Sequence, residues 1–184
     1  MPARPLLFLK PPSAVIGDGD AILLPAASSR VEHEGEIGVV IGARLSRGDA
    51  AAARAAIGGI TCVNDVTARD LQNADGQWTR AKGFDTFCPA GPRVLPVGAG
   101  FDLAGLEVRC RVNGAERQHG RSADMVFPIA DLVAYISRVM TLEPGDLVAT
   151  GTPAGVGPLA EGDVVEVEIG GVGVLRNPVR TAPR

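Results

Sequence analysis

The chain has 184 residues, enough for one well-buried domain and too few for two of ordinary size. Its formal net charge is -3, from 18 Lys and Arg against 21 Asp and Glu, and no charge block tracks a phosphate backbone, so nucleic acid is excluded as a partner. No run of about 18 apolar residues offers a membrane span. Hydrophobic content of 46% with 4% aromatic, 24 Gly and 14 Pro predicts short aliphatic elements joined by tight turns, a β-rich globule. The apolar stretch Leu6-Leu7-Phe8-Leu9 stops at Lys10-Pro11-Pro12, well short of a secretory core. Cys62, Cys88 and Cys110 are odd in number and far apart, which fits neither a disulfide framework nor a zinc motif. The chain is therefore read as cytoplasmic, with each Cys a small core residue.

In chain order, the opening apolar stretch is a strand candidate. Gly17-Asp18-Gly19-Asp20 is a turn, and Ala21 to Leu24 a short strand ending at Pro25. Val31 to Gly42 places Glu34 and Glu36 at the mouth of an apolar, β-branched run that reads as a buried strand. Asp49 can cap an Ala-rich helix over Ala50 to Ala56 that ends at Gly58-Gly59, and Ile60 to Val63 returns as a strand delivering Asn64-Asp65. Val66 to Asp75 and Trp78 to Cys88 are polar, and either surface loops or the carriers of function, with Thr67, Arg69, Asp70, Gln72, Asn73, Lys82 and Asp85 among them.

Leu106, Val108, Cys110 and Val112 alternate with polar residues as in a half-exposed strand, and Asn113-Gly114 is a hairpin turn. Ile129, Leu132, Val133, Ile136, Val139 and Met140 fall at helical spacing after Pro128 and form a core stripe. Turns at Glu143-Pro144-Gly145-Asp146 and Glu161-Gly162-Asp163 lead into strands over Leu147 to Thr150 and Val164 to Ile169, and Gly170-Gly171 into a last strand through Leu175. The pattern predicts one α+β domain over 1–184 with the β part dominant, a rolled sheet of short strands.

Side chains in a strand alternate between faces, so Glu34 and Glu36 share one, with Cα atoms roughly 6.6 Å apart. If Asp65 joins them, three carboxylates meet. At ~4 Å each like-charged pair repels by about 4 kcal/mol at an effective dielectric near 20, and a hard divalent cation would turn that repulsion into binding. The working hypothesis is Mg²⁺ or Mn²⁺ held by Glu34, Glu36 and Asp65; the rival is a solvated acidic strand edge. His33, between the acids, points to the other face, and His119 sits in a polar, solvated run. Thr150 to Gly157 lacks the Lys-Ser/Thr ending of a phosphate loop. It is either a plain turn or a loop that lets a small ligand approach, with Thr152 as a hydrogen-bond donor.

These residues resemble the fumarylacetoacetate hydrolase family, whose motifs occur in order from about Pro5 to Val179. They are Phe8-Leu9-Lys10-Pro11; Glu34-Gly35-Glu36 before Val39-Val40-Ile41-Gly42; Asn64-Asp65-Val66-Thr67-Ala68-Arg69-Asp70-Leu71-Gln72; Lys82-Gly83-Phe84-Asp85-Thr86-Phe87-Cys88-Pro89; and Thr150-Gly151-Thr152-Pro153-Ala154-Gly155-Val156-Gly157. The resemblance implies a mixed β-sandwich roll with a few short helices, usually a homodimer. It implies Mg²⁺ or Mn²⁺ on Glu34, Glu36 and Asp65, substrate contacts from Arg69, Gln72 and Thr152, and a lysine beside the metal at Lys82.

The implied chemistry is cleavage of a C–C bond in a small 2-oxo or 2,4-dioxo acid through a metal-stabilised enolate: acylpyruvate or fumarylacetoacetate-type hydrolysis, or oxaloacetate-type decarboxylation. Isomerisation of hydroxydienedioates in aromatic catabolism is the alternative. Hydrolytic members carry a His and a Glu in a lid segment upstream of the Phe-Leu-Lys-Pro motif, and Met1 to Leu7 contain neither. Without that base hydrolysis should slow by roughly 10² to 10⁴-fold, while decarboxylation should suffer less. A metal- and ligand-binding paralogue without turnover is the non-enzymatic expectation.

Overall fold

The computed structural model describes residues 2–183. In chain order the strands are β1 (Val15–Ile16), β2 (Ile22–Leu24), β3 (Val31–His33), β4 (Gly35–Ile41), β5 (Ile57–Asn64), β6 (Thr67–Ala68), β7 (Cys88–Pro96), β8 (Glu107–Val112), β9 (Ala115–Arg121), β10 (Leu147–Ala149), β11 (Gly157–Pro158), β12 (Val164–Ile169) and β13 (Gly173–Thr181). The α-helices are α1 (Ala50–Ala56), α2 (Arg69–Asp75), α3 (Thr79–Lys82) and α4 (Ile129–Val139). One sheet has the order β1-β7-β5-β4-β10, a second β2-β13-β12-β8-β9, and a short third β11-β3-β6. Of the named pairs, β1 with β7 and β13 with β2 are parallel and the rest antiparallel. This is the β-dominant α+β sandwich that the sequence predicts.

Alternation builds the core. Ile37, Val39 and Ile41 of β4 join Val108, Cys110 and Val112 of β8 and Val165, Val167 and Ile169 of β12 in one buried cluster between the two large sheets. Each fully buried aliphatic side chain there contributes about 1.5–3 kcal/mol. The other face of the first sheet carries a smaller cluster of Ala14, Val63 and Cys88. Glu36 is the register partner of Val63, so it belongs to that second face and not to the main core. Cys62, Cys88 and Cys110 are all free and buried, as expected of small core residues.

Several predicted elements form as read. Asp49 caps α1 by accepting from Ala52 N–H at 2.8 Å. Asn113 and Gly114 both take positive φ, 54° and 77°, as a two-residue hairpin turn of this kind requires. Other boundaries move. Leu6 to Leu9 makes no strand. Gly58-Gly59 lies inside β5 instead of ending α1, because β4 and β5 approach there so closely that a Cβ on Gly58 would stand 2.7 Å from the Gly42 Cα. The last strand runs to Thr181, past Asn177-Pro178, because Val179, Arg180 and Thr181 pair in parallel with Ile22, Leu23 and Leu24 of β2, and the Asn177 side-chain amide donates to Gly17 O and Asp20 O beside them. In α4, Ile129, Leu132 and Val133 are buried, but Val139, the last helical residue, is 62% exposed. The two polar stretches become β6, α2 and α3, elements too short to show apolar periodicity.

Candidate metal centre

Glu34 sits at the junction of β3 and β4, Glu36 on β4, and Asp65 just after β5, the neighbour of β4. The Glu34-Asn64 junction is tied twice: Asp65 N–H donates to Glu34 O at 2.9 Å, and Glu34 N–H donates to the Asn64 amide oxygen at 2.9 Å. The result is three carboxylates with one ligand atom each inside 4.8 Å, their residues 6%, 2% and 1% exposed. A solvated acidic edge is thereby ruled out, since none of the three faces bulk water. Gly35, between the two glutamates, points to the opposite face, where a Cβ would stand 2.8 Å from Cys110 Cβ; only glycine lets β8 pack against that motif.

Cations surround two of the acids. Lys82, at the end of α3 and 2% exposed, donates to Glu34 Oε2 at 2.9 Å and Asp65 Oδ2 at 2.6 Å. Its Nζ lies 4.9 Å from the centre of the Phe8 ring. Two residues on, Lys10 donates to Asp65 Oδ1 at 2.6 Å. The Phe-Leu-Lys-Pro motif therefore roofs the site with alternate side chains, whereas Leu9 between them is 67% exposed. Arg69, the first residue of α2, bonds the remaining oxygen of Glu34 and, through Nε, Glu32 Oε2 at 2.7 Å. Its Nη1 donates to Gln72 one helical turn on, so Arg69 and Gln72 present one connected group.

Glu36 is different. Gly151 N–H donates to its Oε2 at 2.7 Å, and among the described residues no cation pairs with it. Burial, and then the charge of Asp65, push its carboxyl well above the usual carboxylate range. A buried carboxyl group with no cation partner, beside two others, is the donor set that suits a hard divalent ion with oxygen ligands. Thr152 is held at the other side of β4: its hydroxyl donates to Gly35 O at 2.9 Å and accepts from Gln118. A half-open cavity of about 420 Å³ lies along the same loop, lined by His119, Arg121, Met125, Phe127, Thr152 and Pro153; the triad is not part of its wall.

Three residues escape sequence reasoning. Glu32 is 2% exposed and bridges Arg30 and Arg69; burial raises its carboxyl, but bonds from Arg69 and then Arg30 outweigh that and hold it below the usual range. Lys10 lies in a quoted motif but no chemistry points to Asp65 as its partner. Gln118 is buried in an otherwise polar run, where no periodicity marks it. His33 faces away from the triad as expected, bonding Gln118 at 3.0 Å and Cys110 at 3.4 Å, and His119 is an exposed partner of Glu107.

Comparison with known proteins identifies the family of the chain. Residues 1–180 match the profile of the fumarylacetoacetate (FAA) hydrolase C-terminal domain. Protein Rv2993c of Mycobacterium tuberculosis is 53% identical over 178 residues, which are 97% of this chain and 67% of that protein. The mitochondrial oxaloacetate tautomerase Fahd2a of Rattus norvegicus is 41% identical over 187 residues, 97% of this chain and 60% of that one. The crystal structure of 2-hydroxyhepta-2,4-diene-1,7-dioate isomerase from Mycobacterium marinum superposes with a TM-score of 0.93 at 51% identity, covering 100% of this chain and 71% of its own. With its profile matched nearly end to end, its sheets superposing on a solved relative and its motifs converging on one buried site, the chain belongs to the fumarylacetoacetate hydrolase family.

Proposed function

We propose that the chain is a Mg²⁺- or Mn²⁺-dependent enzyme that acts at C3 of a small 2-oxo or 2,4-dioxo acid through an enolate. The observation that supports this reading most is the convergence of Glu34, Glu36 and Asp65 within 4.8 Å beside a buried lysine. Those three carboxylates would hold the ion, and when bound it supplies the positive charge that stabilises an enolate oxygen. Arg69, oriented by Glu32 and coupled to Gln72, offers a fixed guanidinium to the substrate carboxylate. Lys82 supplies a positioned ammonium that can hold negative charge or deliver a proton at C3. Four acids (Glu32, Glu34, Glu36, Asp65) and four bases (Lys10, Arg30, Arg69, Lys82) balance in this network. A divalent ion then leaves two positive charges, which favours a substrate with two carboxylates.

C–C bond cleavage, by hydrolysis or decarboxylation, is the first route to such an enolate: the electron pair of the broken bond becomes the enolate, which then takes up a proton. Removal of a substrate proton and reprotonation of the enolate, giving isomerisation or tautomerisation, is the second, and two relatives support it. The M. marinum relative is an isomerase and the rat relative a tautomerase. The test is a panel of acylpyruvates, oxaloacetate and hydroxydienedioates assayed with Mn²⁺, after EDTA, and after Mn²⁺ is restored. Turnover that disappears and returns with the metal is expected, and the product identifies the outcome. Equal turnover throughout would contradict the reading, and tight oxalate binding with no product from any compound would make the protein a binding module. A homodimer belongs to the same proposal and is checked by light scattering.

A further inference from the structure

Strand β9 buries one position, and that position is a polar residue: Gln118, 2% exposed. A break in register puts it there. Cys110 pairs with Gln118 but the next residue, Arg111, pairs with Glu116, so Arg117 is an extra residue on the β9 side. A bulge of this kind re-aims the neighbouring side chain, here into the space between β4 and the loop 150–157.

The bonds of Gln118 have fixed directions. Gly35 N–H can only donate, so the atom it reaches at 2.9 Å is the amide oxygen, and His33 Nδ1 at 3.0 Å is then also a donor to it. Pro153 O can only accept, so the atom 2.8 Å from it is the amide nitrogen, whose second hydrogen goes to Thr152 Oγ1 at 2.7 Å. With that lone pair used, the Thr152 hydroxyl hydrogen goes to Gly35 O at 2.9 Å. Gln118 and Thr152 thus clamp both backbone groups of Gly35, the residue between Glu34 and Glu36. The same loop, one residue earlier, supplies the Gly151 N–H that holds Glu36. The bulge also seats the loop: a Cβ on Gly155 would stand 2.0 Å from Arg117 O.

We propose that Gln118 is a positioning residue of the metal centre, holding the loop 150–157 and Gly35 in the register from which Gly151 fixes the Glu36 carboxylate. The inference rests on the reading of Glu34, Glu36 and Asp65 as metal ligands. Partners that orient ligands from outside the coordination shell typically change metal affinity by about 10–100-fold.

The test is Mn²⁺ titration calorimetry without substrate, paired with amide hydrogen exchange at Gly151, on wild type, Gln118→Leu, Thr152→Val and Val133→Ala. Val133 is buried in α4, away from this network, and reports on lost stability alone. Gln118→Leu and Thr152→Val should each weaken Mn²⁺ by about tenfold or more and speed exchange at Gly151, whereas Val133→Ala lowers the melting temperature with wild-type affinity. Thr152→Val decides the matter if Gln118→Leu does not fold. Wild-type affinity and exchange in the two site variants would overturn the proposal, as would an equal loss in Val133→Ala. If wild type binds no Mn²⁺, the ligand reading falls, and the exchange data alone report whether Gln118 holds the loop.

Discussion

Asp65 serves two lysines as well as its fellow acids. Removing its side chain would leave Lys10 and Lys82 buried with a partner lost, at a cost of roughly 3–5 kcal/mol, so Asp65→Ala confounds folding with binding. Asp65→Asn keeps the shape and an acceptor. We expect it to stay folded by circular dichroism while Mn²⁺ affinity falls by at least about a hundredfold in calorimetry, and unchanged affinity would remove it from the site. A second residue has a pH signature. Bonds from the Ser28 hydroxyl, the Ser29 N–H and hydroxyl, and the Leu71 N–H hold the Asp70 carboxyl down at about 2, against an ordinary 3.8. A depressed carboxyl stabilises the fold above its unfolded value and loses that contribution as pH falls through the folded one. The melting temperature of wild type should therefore drop between about pH 4 and 2 more steeply than that of Asp70→Asn, in which this titration is absent. Equal slopes would show that the Ser28–Asp70 tie contributes nothing. At this scale the sequence revealed the acids through their spacing and motif, and Lys82, Arg69 and Gln72 through resemblance. Glu32 and Gln118 stayed hidden because a buried polar residue is defined by partners far along the chain.

The elements that position the site divide by what their sequences can announce. Strand β12 was legible to the residue, since Glu161-Gly162-Asp163 and Gly170 bracket an alternating run. Helices α2 and α3 were not: each is seven residues or shorter, neither has a side-chain cap, and α2 buries none of its residues. Tertiary bonds hold them, above all Arg69 to the acids and Lys82 beneath Phe8. The bulge in β9 left no trace either, because register is set by the partner strand. The loop 150–157 was legible as a glycine-rich turn but not as a brace. Gly155 gives the sharpest test of that brace: with φ of 105° and no room beside Arg117 O, Gly155→Ala should cost about 2–5 kcal/mol in chemical denaturation. A loss below about 1 kcal/mol would mean that the loop is not seated on β9 as described.

Across the whole molecule, two five-stranded sheets enclose one aliphatic core, and the chemistry occupies the outer face of the first. Composition foretold that architecture: few aromatics and many glycines leave short aliphatic strands as the available building units. It could not foretell that the polar face of a strand would be roofed over by α2, α3 and the Phe8-Lys10 segment, since that depends on contacts spanning up to 74 residues, as between Phe8 and Lys82. Among the described residues no helix is long and apolar enough to cross a membrane. The tightness of the core has a chemical readout. Burial pushes the thiols of Cys62 and Cys110 up to about 12 and that of Cys88 to about 11. None should react with iodoacetamide in the native protein at pH 8 over an hour, and all three should react in guanidinium, by mass spectrometry. Rapid labelling of any one in the native state would show that the sheets open around it.

The central claim is that Glu34, Glu36 and Asp65 together bind a divalent ion. Anomalous diffraction from a crystal equilibrated with Mn²⁺ tests it most directly. The expected result is one manganese peak per chain within about 2.0–2.4 Å of an oxygen from each of the three carboxylates. No peak at saturating Mn²⁺, with Lys82 still bonded to both Glu34 and Asp65, would contradict it.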